Sequence, residues 1–348
     1  MKTRWQTIAI WFVCMAAGYG IIYAGEMTGV VDTFIENMLV MMGINIILAV
    51  SLNLIVGFSG QFSLGHAGFM AIGAYATGIM TQTESTFAGL IFSMITGIVI
   101  TIAIALIVGV PTLRLKGDYL AIATMGAAEI IRLTANNLKI TNGPAGLYNI
   151  PQLATWPIVY IMMCLTIIIV ANFVHSKTGR AIRSIRNDEL AATAMGINAT
   201  KYKLMAFVMG GSLAAVGGSL YASYLQSIAP SNFNIMESVS ILIIVVLGGI
   251  GSITGSVIAA IVLGGIDTIL QSFGSLRMVI YAVMLIVIMI AKPSGLMGRH
   301  EFSIGNWLSK RAAKKQPATE SKKGAHHGRE IVNGSQRDAT VWWTDGGQ

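Results

Sequence analysis

The sequence predicts an all-α integral membrane fold, a polytopic bundle of about ten transmembrane helices with glycine-broken segments in both halves. Three observations carry this expectation. Apolar residues make up 54% of the 348 residues and charged residues only 11%, with a mean hydropathy of +0.70. A soluble domain carries about 25% charged residues. The apolar residues also fall in runs close to the roughly 20 that a bilayer-spanning helix needs. Finally, one apolar stretch in each half is interrupted by a cluster of glycines.

The runs fall at 8–24, 34–56, 67–83, 87–111, 118–136, 157–174, 203–225, 237–250, 254–271 and 276–291. Lys2 and Arg4 precede the first. No small-x-small cleavage pattern precedes Glu26, so this run reads as a retained signal anchor, not a cleaved leader. The runs at 237–250 and 254–271 are short and separated only by glycines, so merging them is the alternative count. The charges favour ten. With the N-terminus inside, Arg114, Lys116, Lys177, Arg180, Arg183, Arg186, Lys201, Lys203 and the tail after Lys292 are cytoplasmic. Glu26, Asp32, Glu84 and Glu237 fall outside, and Lys139 and Arg277 are the exceptions.

From Lys292 onward ten Lys and Arg oppose five Asp and Glu, supplying +5 of the formal net charge of +8. The basic balance therefore belongs to cytoplasmic flanks and a tail, and no nucleic-acid partner is expected. Residues 1–301 form the expected membrane domain. The polar segment 302–348 cannot bury enough apolar surface to fold alone and is expected to be disordered and cytoplasmic. Cys14 and Cys164 both lie in apolar runs, without metal-ligand spacing, which argues against a disulfide framework or a metal site.

Two loops stand out. Segment 137–156 holds the turn-rich cluster Asn142-Gly143-Pro144-Ala145-Gly146. Segment 176–202 places Arg180, Arg183 and Arg186 three apart, on one helical face, followed by Asp188, Glu189 and the run 190–195. It reads either as a basic helix on the membrane surface or as a docking helix for a cytoplasmic partner.

The strongest internal signal is the pair of breaks. Gly57-Phe58-Ser59-Gly60-Gln61-Phe62-Ser63-Leu64-Gly65-His66 interrupts the first half, and Gly248-Gly249-Ile250-Gly251-Ser252-Ile253-Thr254 the second. Paired glycine-interrupted segments in two halves point to a translocation path, because backbone freed at a break must be satisfied by protein or by a water-lined cavity. The competing reading is close helix packing through small residues. The path candidates are Gly57, Ser59, Gly60, Gln61, Ser63, His66, Gly248, Gly249, Gly251, Ser252 and Thr254. His66 itself reads as a hydrogen-bonded packing residue before a ligand or proton relay.

Ionisable residues inside spans are functional candidates by default. Glu129 and Arg132, one turn apart, are expected to form a self-neutralised pair facing the bundle. Asp267 points either into a cavity or to an interface. Phosphate-loop, metalloprotease, dithiol and nucleophile-elbow patterns do not occur, so no catalytic residue is expected. Energy for active transport must then come from another subunit.

The stretches 53–67, 113–124 with Glu129 to Arg132, 178–189 extending to Gly196 and Asn198, and 246–255 occur in order. Through them the chain resembles the M-type permease subunit of bacterial branched-chain amino acid ABC importers, from about residue 35 to 300. The resemblance implies an H-type permease partner, two cytoplasmic ATPase subunits and an extracytoplasmic solute-binding protein, in a bacterial inner membrane. It implies that ATP and Mg are used by the partners, with no cofactor bound by this chain. It also matches segment 176–202 to the ATPase-coupling loop, with Gly179, Arg180, Arg183, Arg186, Asp188, Glu189 and Gly196 as its candidate residues. Substrates implied are Leu, Ile and Val or related hydrophobic amino acids. Permeases of the same superfamily carry urea, short amides or sugars. The reading from another class is a stand-alone channel or secondary carrier, with Glu129 and Asp267 as gating or ion-coupling groups.

Overall fold

The computed structural model describes residues 18–20, 22–29, 32–115 and 117–270, with isolated positions at 283 and 286; for 267–270 only the backbone is described. The described residues belong to one compact unit. The expected span 276–291, most of 8–24, the tail 302–348, Cys14 and the side chain of Asp267 lie outside the described residues.

Each fully described apolar run is helical. α1 covers Thr33–Asn53 and passes into a π-helical turn at Leu54–Phe58. It is followed by α2 (His66–Thr83), α3 (Phe87–Thr112), α4 (Asp118–Asn137) and α5 (Trp156–His175). The basic loop folds as α6 (Lys177–Asn187) and α7 (Glu189–Ala194), and then come α8 (Ala199–Leu225), α9 (Ile235–Gly248) and α10 (Ile253–Leu270).

Among the described residues four helices are long and apolar enough to cross a bilayer alone, or five if α9 and α10, bent by 119° at their break, count as one. Ten were expected; the expected span 276–291 and most of 8–24 lie outside the described residues, and the other helices fall short for reasons that differ. α2 is buried by its neighbours from His66 to Gly78 and at Thr81, so His66, its glycines, Thr77 and Thr81 are shielded within the bundle. α4 carries Asp118, Glu129 and Arg132. α9 has 14 residues, which at 1.5 Å per residue reach about 21 Å, short of a hydrocarbon core of about 30 Å. The bend at 249–252 sends α10 back along α1. Asn53 lies against Ser252 and Ser256 near the start of α10, whereas Gly264 further along meets Met42.

α1, α2 and α8 form the centre. In the most apolar stretch of α1 with its π-turn 83% of residues are buried, against 28% in α3 and in α5, which therefore turn most of their surface outward. Lipid supplies no hydrophobic drive between helices, so close van der Waals packing through small residues has to hold them. At the α2–α8 crossing, Gly73 faces the Ala215 carbonyl and Gly218 faces the Met70 carbonyl, each too near to admit a Cβ. Ser219 Oγ donates to Gly73 O at 3.1 Å across the same contact. Gly73→Val must force the two backbones apart, an overpacking cost of about 3 kcal/mol. The expected result is a lower thermal midpoint and less monodisperse protein on size exclusion; a wild-type profile would contradict this crossing.

The connections separate into two ends. At one, Leu147 and Ile228 exchange backbone hydrogen bonds (2.8 and 2.9 Å), and Gln82 Nε2 donates to Tyr148 O at 2.8 Å. Ser223 Oγ accepts from the Leu153 and Ala154 amides there (3.0 and 3.1 Å). The turn-rich segment 137–156 is thus pinned onto the bundle. At the other end lie both glycine breaks and the basic helix α6.

Candidate functional site: a joint between the two glycine breaks

The two breaks, nearly 200 residues apart in sequence, touch. Asn53, in the last turn of α1, joins them. Its Nδ2 donates to Ser252 O (2.8 Å) and Ser256 Oγ (2.9 Å), and its Oδ1 accepts from the Gly251 amide (2.9 Å). This answers the accounting problem set by a broken helix, whose freed backbone groups cannot be left to hydrocarbon. The approach needs two glycines. A Cβ on Gly57 would lie 2.5 Å from Gly251 N, and one on Gly251 would lie 3.3 Å from Gly57 O. Gly251 has φ +90° and Gly249 φ +113°, backbone that glycine adopts without a steric cost.

Around this contact the first break is stitched to its surroundings. The π-turn widens α1 where it ends, and Gln61 N reaches back to Ile55 O (3.1 Å). Ser59 Oγ donates to Ile55 O (2.7 Å) and accepts from Gln61 Nε2 (2.7 Å), which also donates to Lys203 O (3.0 Å) at the start of α8. Ser63 Oγ lies 3.4 Å from the Gly65 amide. The Leu64 amide is held by Thr124 on α4 and the Ala67 amide by Ser238 on α9. His66 is 1% exposed, with Nε2 2.9 Å from Ser51 Oγ, as suits a packing residue. Two buried atoms here find no hydrogen-bond partner, Gln61 Oε1 and His66 Nδ1.

In the second break Gly248 packs against the Gly255 carbonyl. Ser252 Oγ accepts from the Gly255 amide at 3.1 Å and sits 3.3 Å from Thr254 Oγ1. Of the five glycines among the eleven path candidates, Gly60, Gly249 and Gly251 have positive φ, and Ser59, Gln61, Ser63, His66 and Ser252 are all at most 2% exposed. The breaks form a closed, hydrogen-bonded joint in this conformation.

The basic loop lies directly on that joint. Ser176 caps α6 by accepting from the Gly179 amide (3.2 Å), and Gly179 lets the helix start against the Val174 carbonyl. Arg183 stacks over the Phe58 ring (5.6 Å to its centroid) with Nη2 buried and unpartnered. Arg186 packs its stem against Gly60 and its guanidinium beside Gly251, so it touches both breaks. Arg180 shares the sequence pattern but is exposed, with Nη1 donating to His175 O at 3.1 Å. Asp188 caps α7 through the Ala191 amide (3.0 Å), and Glu189 pairs with Lys203 at 2.8 Å, fastening α7 to α8. Gly196 closes α7 at φ +81°. Leu190 and Met195 on this segment are 81% and 83% exposed.

Glu129 and Arg132 do form a bidentate pair, Nε to Oε2 at 2.9 Å and Nη2 to Oε1 at 2.5 Å. The pair does not face the bundle, however; the side chains are 39% and 26% exposed. Among the described residues no cluster of His, Cys, Asp or Glu could hold a metal ion. Sequence reasoning missed Asn53 as the central residue, along with Ser256 and Phe58. An amide inside an apolar run, as Asn53 is, was the available signal, because such a group needs a partner wherever it lies.

Comparison with known proteins places the chain in a family. The family model described as branched-chain amino acid transport system / permease component matches residues 34–289. The chain is 30% identical over 274 residues to the high-affinity branched-chain amino acid transport system permease protein LivM of Salmonella typhimurium, covering 67% of this chain and 62% of that protein. It is 31% identical over 284 residues to LivM of Escherichia coli K12, covering 70% of this chain and 66% of that protein. The match to the permease protein LivH of Salmonella typhimurium is 31% identical over 153 residues, covering 43% of this chain and 48% of that protein. The chain thus spans a little under two thirds of the length of the two LivM relatives. No solved structure matches. With the family model covering both breaks, the basic loop and most of the bundle, the chain belongs to the branched-chain amino acid transport system permease family.

Proposed function

We propose that this chain is the transmembrane permease subunit of an ATP-driven importer that moves Leu, Ile, Val or related hydrophobic amino acids across a bacterial inner membrane. Ten spans with both termini cytoplasmic place α6, α7 and both breaks on the inner side, in keeping with the basic residues there. The chain itself performs no covalent chemistry and binds no cofactor. Two partner ATPases use ATP and Mg, a second permease of the H type completes the membrane unit, and a solute-binding protein delivers substrate from outside.

One observation carries this reading: Arg186 on the loop helix touches Gly60 and Gly251 at once, where Asn53 joins the two breaks. A force applied to α6 and α7 outside the bilayer is therefore delivered to the point where both halves of the bundle are broken. Leu190 and Met195, almost fully exposed on that loop, offer apolar contacts to a soluble ATPase. ATP binding would bias the bundle between inward- and outward-open states through its differential contacts with the two.

The test is uptake by the purified complex in liposomes. ATP-dependent uptake of leucine, competed by isoleucine and valine but not by urea or sugars, is the expected result. A chain that purifies alone and exchanges solute without ATP would overturn the importer and make it a carrier. Asp188→Ala removes the α7 cap, worth about 1 kcal/mol. It is expected to abolish stimulation of ATPase activity by loaded binding protein while basal hydrolysis persists. Normal stimulation in that variant would count against the loop as the coupling element.

A further inference from the structure

The α4 helix presents an outward apolar face bordered by a charge pair. Tyr119, Ile122, Gly126, Ile130 and Leu133 recur three or four apart and are all exposed, Tyr119 by 73% and Ile130 by 67%. A Cβ on Gly126 would meet nothing within 4 Å, so the face is open at its middle. The Glu129–Arg132 pair borders it. Glu129 lies eleven residues into the helix, about 17 Å from its Asp118 end, well inside a hydrocarbon core of about 30 Å.

The contrast with α3 is direct. That helix exposes Phe92, Ile95, Val99 and Ile107 and carries no ionisable residue over its 26 residues. Hydrocarbon suits it. On α4 the pair uses only two of the five Arg132 N–H donors, and the rest need acceptors that acyl chains do not have. A covering chain within the bilayer that offers polar groups satisfies these donors better than acyl chains do, and a soluble subunit does not reach that depth. Two different permease proteins of identically described transport systems, LivM and LivH, each align with this chain, so a related membrane chain is the occupant with the right chemistry and depth.

We propose that the exposed face of α4, centred on Gly126 and bordered by Glu129 and Arg132, is the surface on which the second permease chain docks within the bilayer. This rests on the importer reading above. The experiment is photocrosslinking in the full complex in native membranes, with a benzoylphenylalanine at Ile122, Ile130 or Leu133 and control positions at Phe92, Ile95 and Ile107 on α3. Mass spectrometry identifies each adduct.

The expected result is an adduct with the second permease from at least two α4 positions and none from α3. Adducts with lipid, with a second copy of this chain, or with the second permease only from α3 would overturn the surface. Co-purification of wild-type chain with the second permease is read in parallel. If it persists while α4 gives no permease adduct, the surface is wrong and the importer stands; if it is absent, the importer reading fails first.

Discussion

Asn53→Leu is expected to reduce transport at least about tenfold, the equivalent of 1.4 kcal/mol, and to lower the thermal midpoint of the complex. The side chain makes three hydrogen bonds that tie the first break to the second. Leucine fills a similar volume but offers neither donor nor acceptor. Ser252 O keeps Ser256 as a partner, from its amide and its hydroxyl, both at 3.2 Å. The Gly251 amide, half-buried, keeps none, and an orphaned donor costs up to about 1–3 kcal/mol where fully buried. Ser256→Ala removes only one of the three bonds and is expected to cost about 1 kcal/mol. Paired measurements of leucine uptake and thermal unfolding should therefore rank wild type, S256A and N53L in that order. Wild-type uptake by N53L would show that the two breaks work independently.

Gly251→Val should have the larger effect, with no assembled, transport-competent complex. Two costs add. At φ +90° a side chain strains the backbone, by about 1–3 kcal/mol. The new Cβ would also lie 2.7 Å from Arg186 Nη1 and 3.3 Å from Gly57 O. A β-branched residue cannot turn both methyls away from these neighbours. Gly196 separates the two costs, since it shares the left-handed backbone at φ +81° but has nothing within 4 Å of a Cβ. Gly196→Val pays the backbone cost without the clash and is expected to accumulate and assemble better than G251V. Equal loss of complex in G196V and G251V would mean that backbone strain alone, not the Gly57–Gly251 approach, governs the joint.

The helices from 33 to 270 were legible as apolar runs because a span is a local property: about 20 apolar residues suffice, whatever packs against them. The loop helix at 176–202 was legible for the same reason, since three-residue spacing of arginines is visible without any partner. Their separate fates were not. Arg183 and Arg186 turn onto the breaks and Arg180 turns away, and only the placement of α6 against Phe58, Gly60 and Gly251 decides this. The Glu129–Arg132 pair was predicted from its spacing, but its outward direction depends on which face of α4 its neighbours cover. Of the ten expected spans, four or five among the described residues qualify by length and composition. Hydropathy read along the chain cannot tell a helix shielded by other helices, such as α2, from one immersed in lipid.

The sequence by itself determined that this is an all-helical membrane protein with a glycine break in each half and a basic loop between them, and its ordered motifs were enough to indicate the family. Those are properties of composition, period and order. Only the tertiary structure decided that the two breaks form one joint, that Asn53 closes it and that Arg186 rests on both sides of it. Contacts between residues about 200 positions apart leave no periodic trace in a single chain. They come instead from helix packing, where the absence of a Cβ at Gly57 and Gly251 allows two backbones to meet.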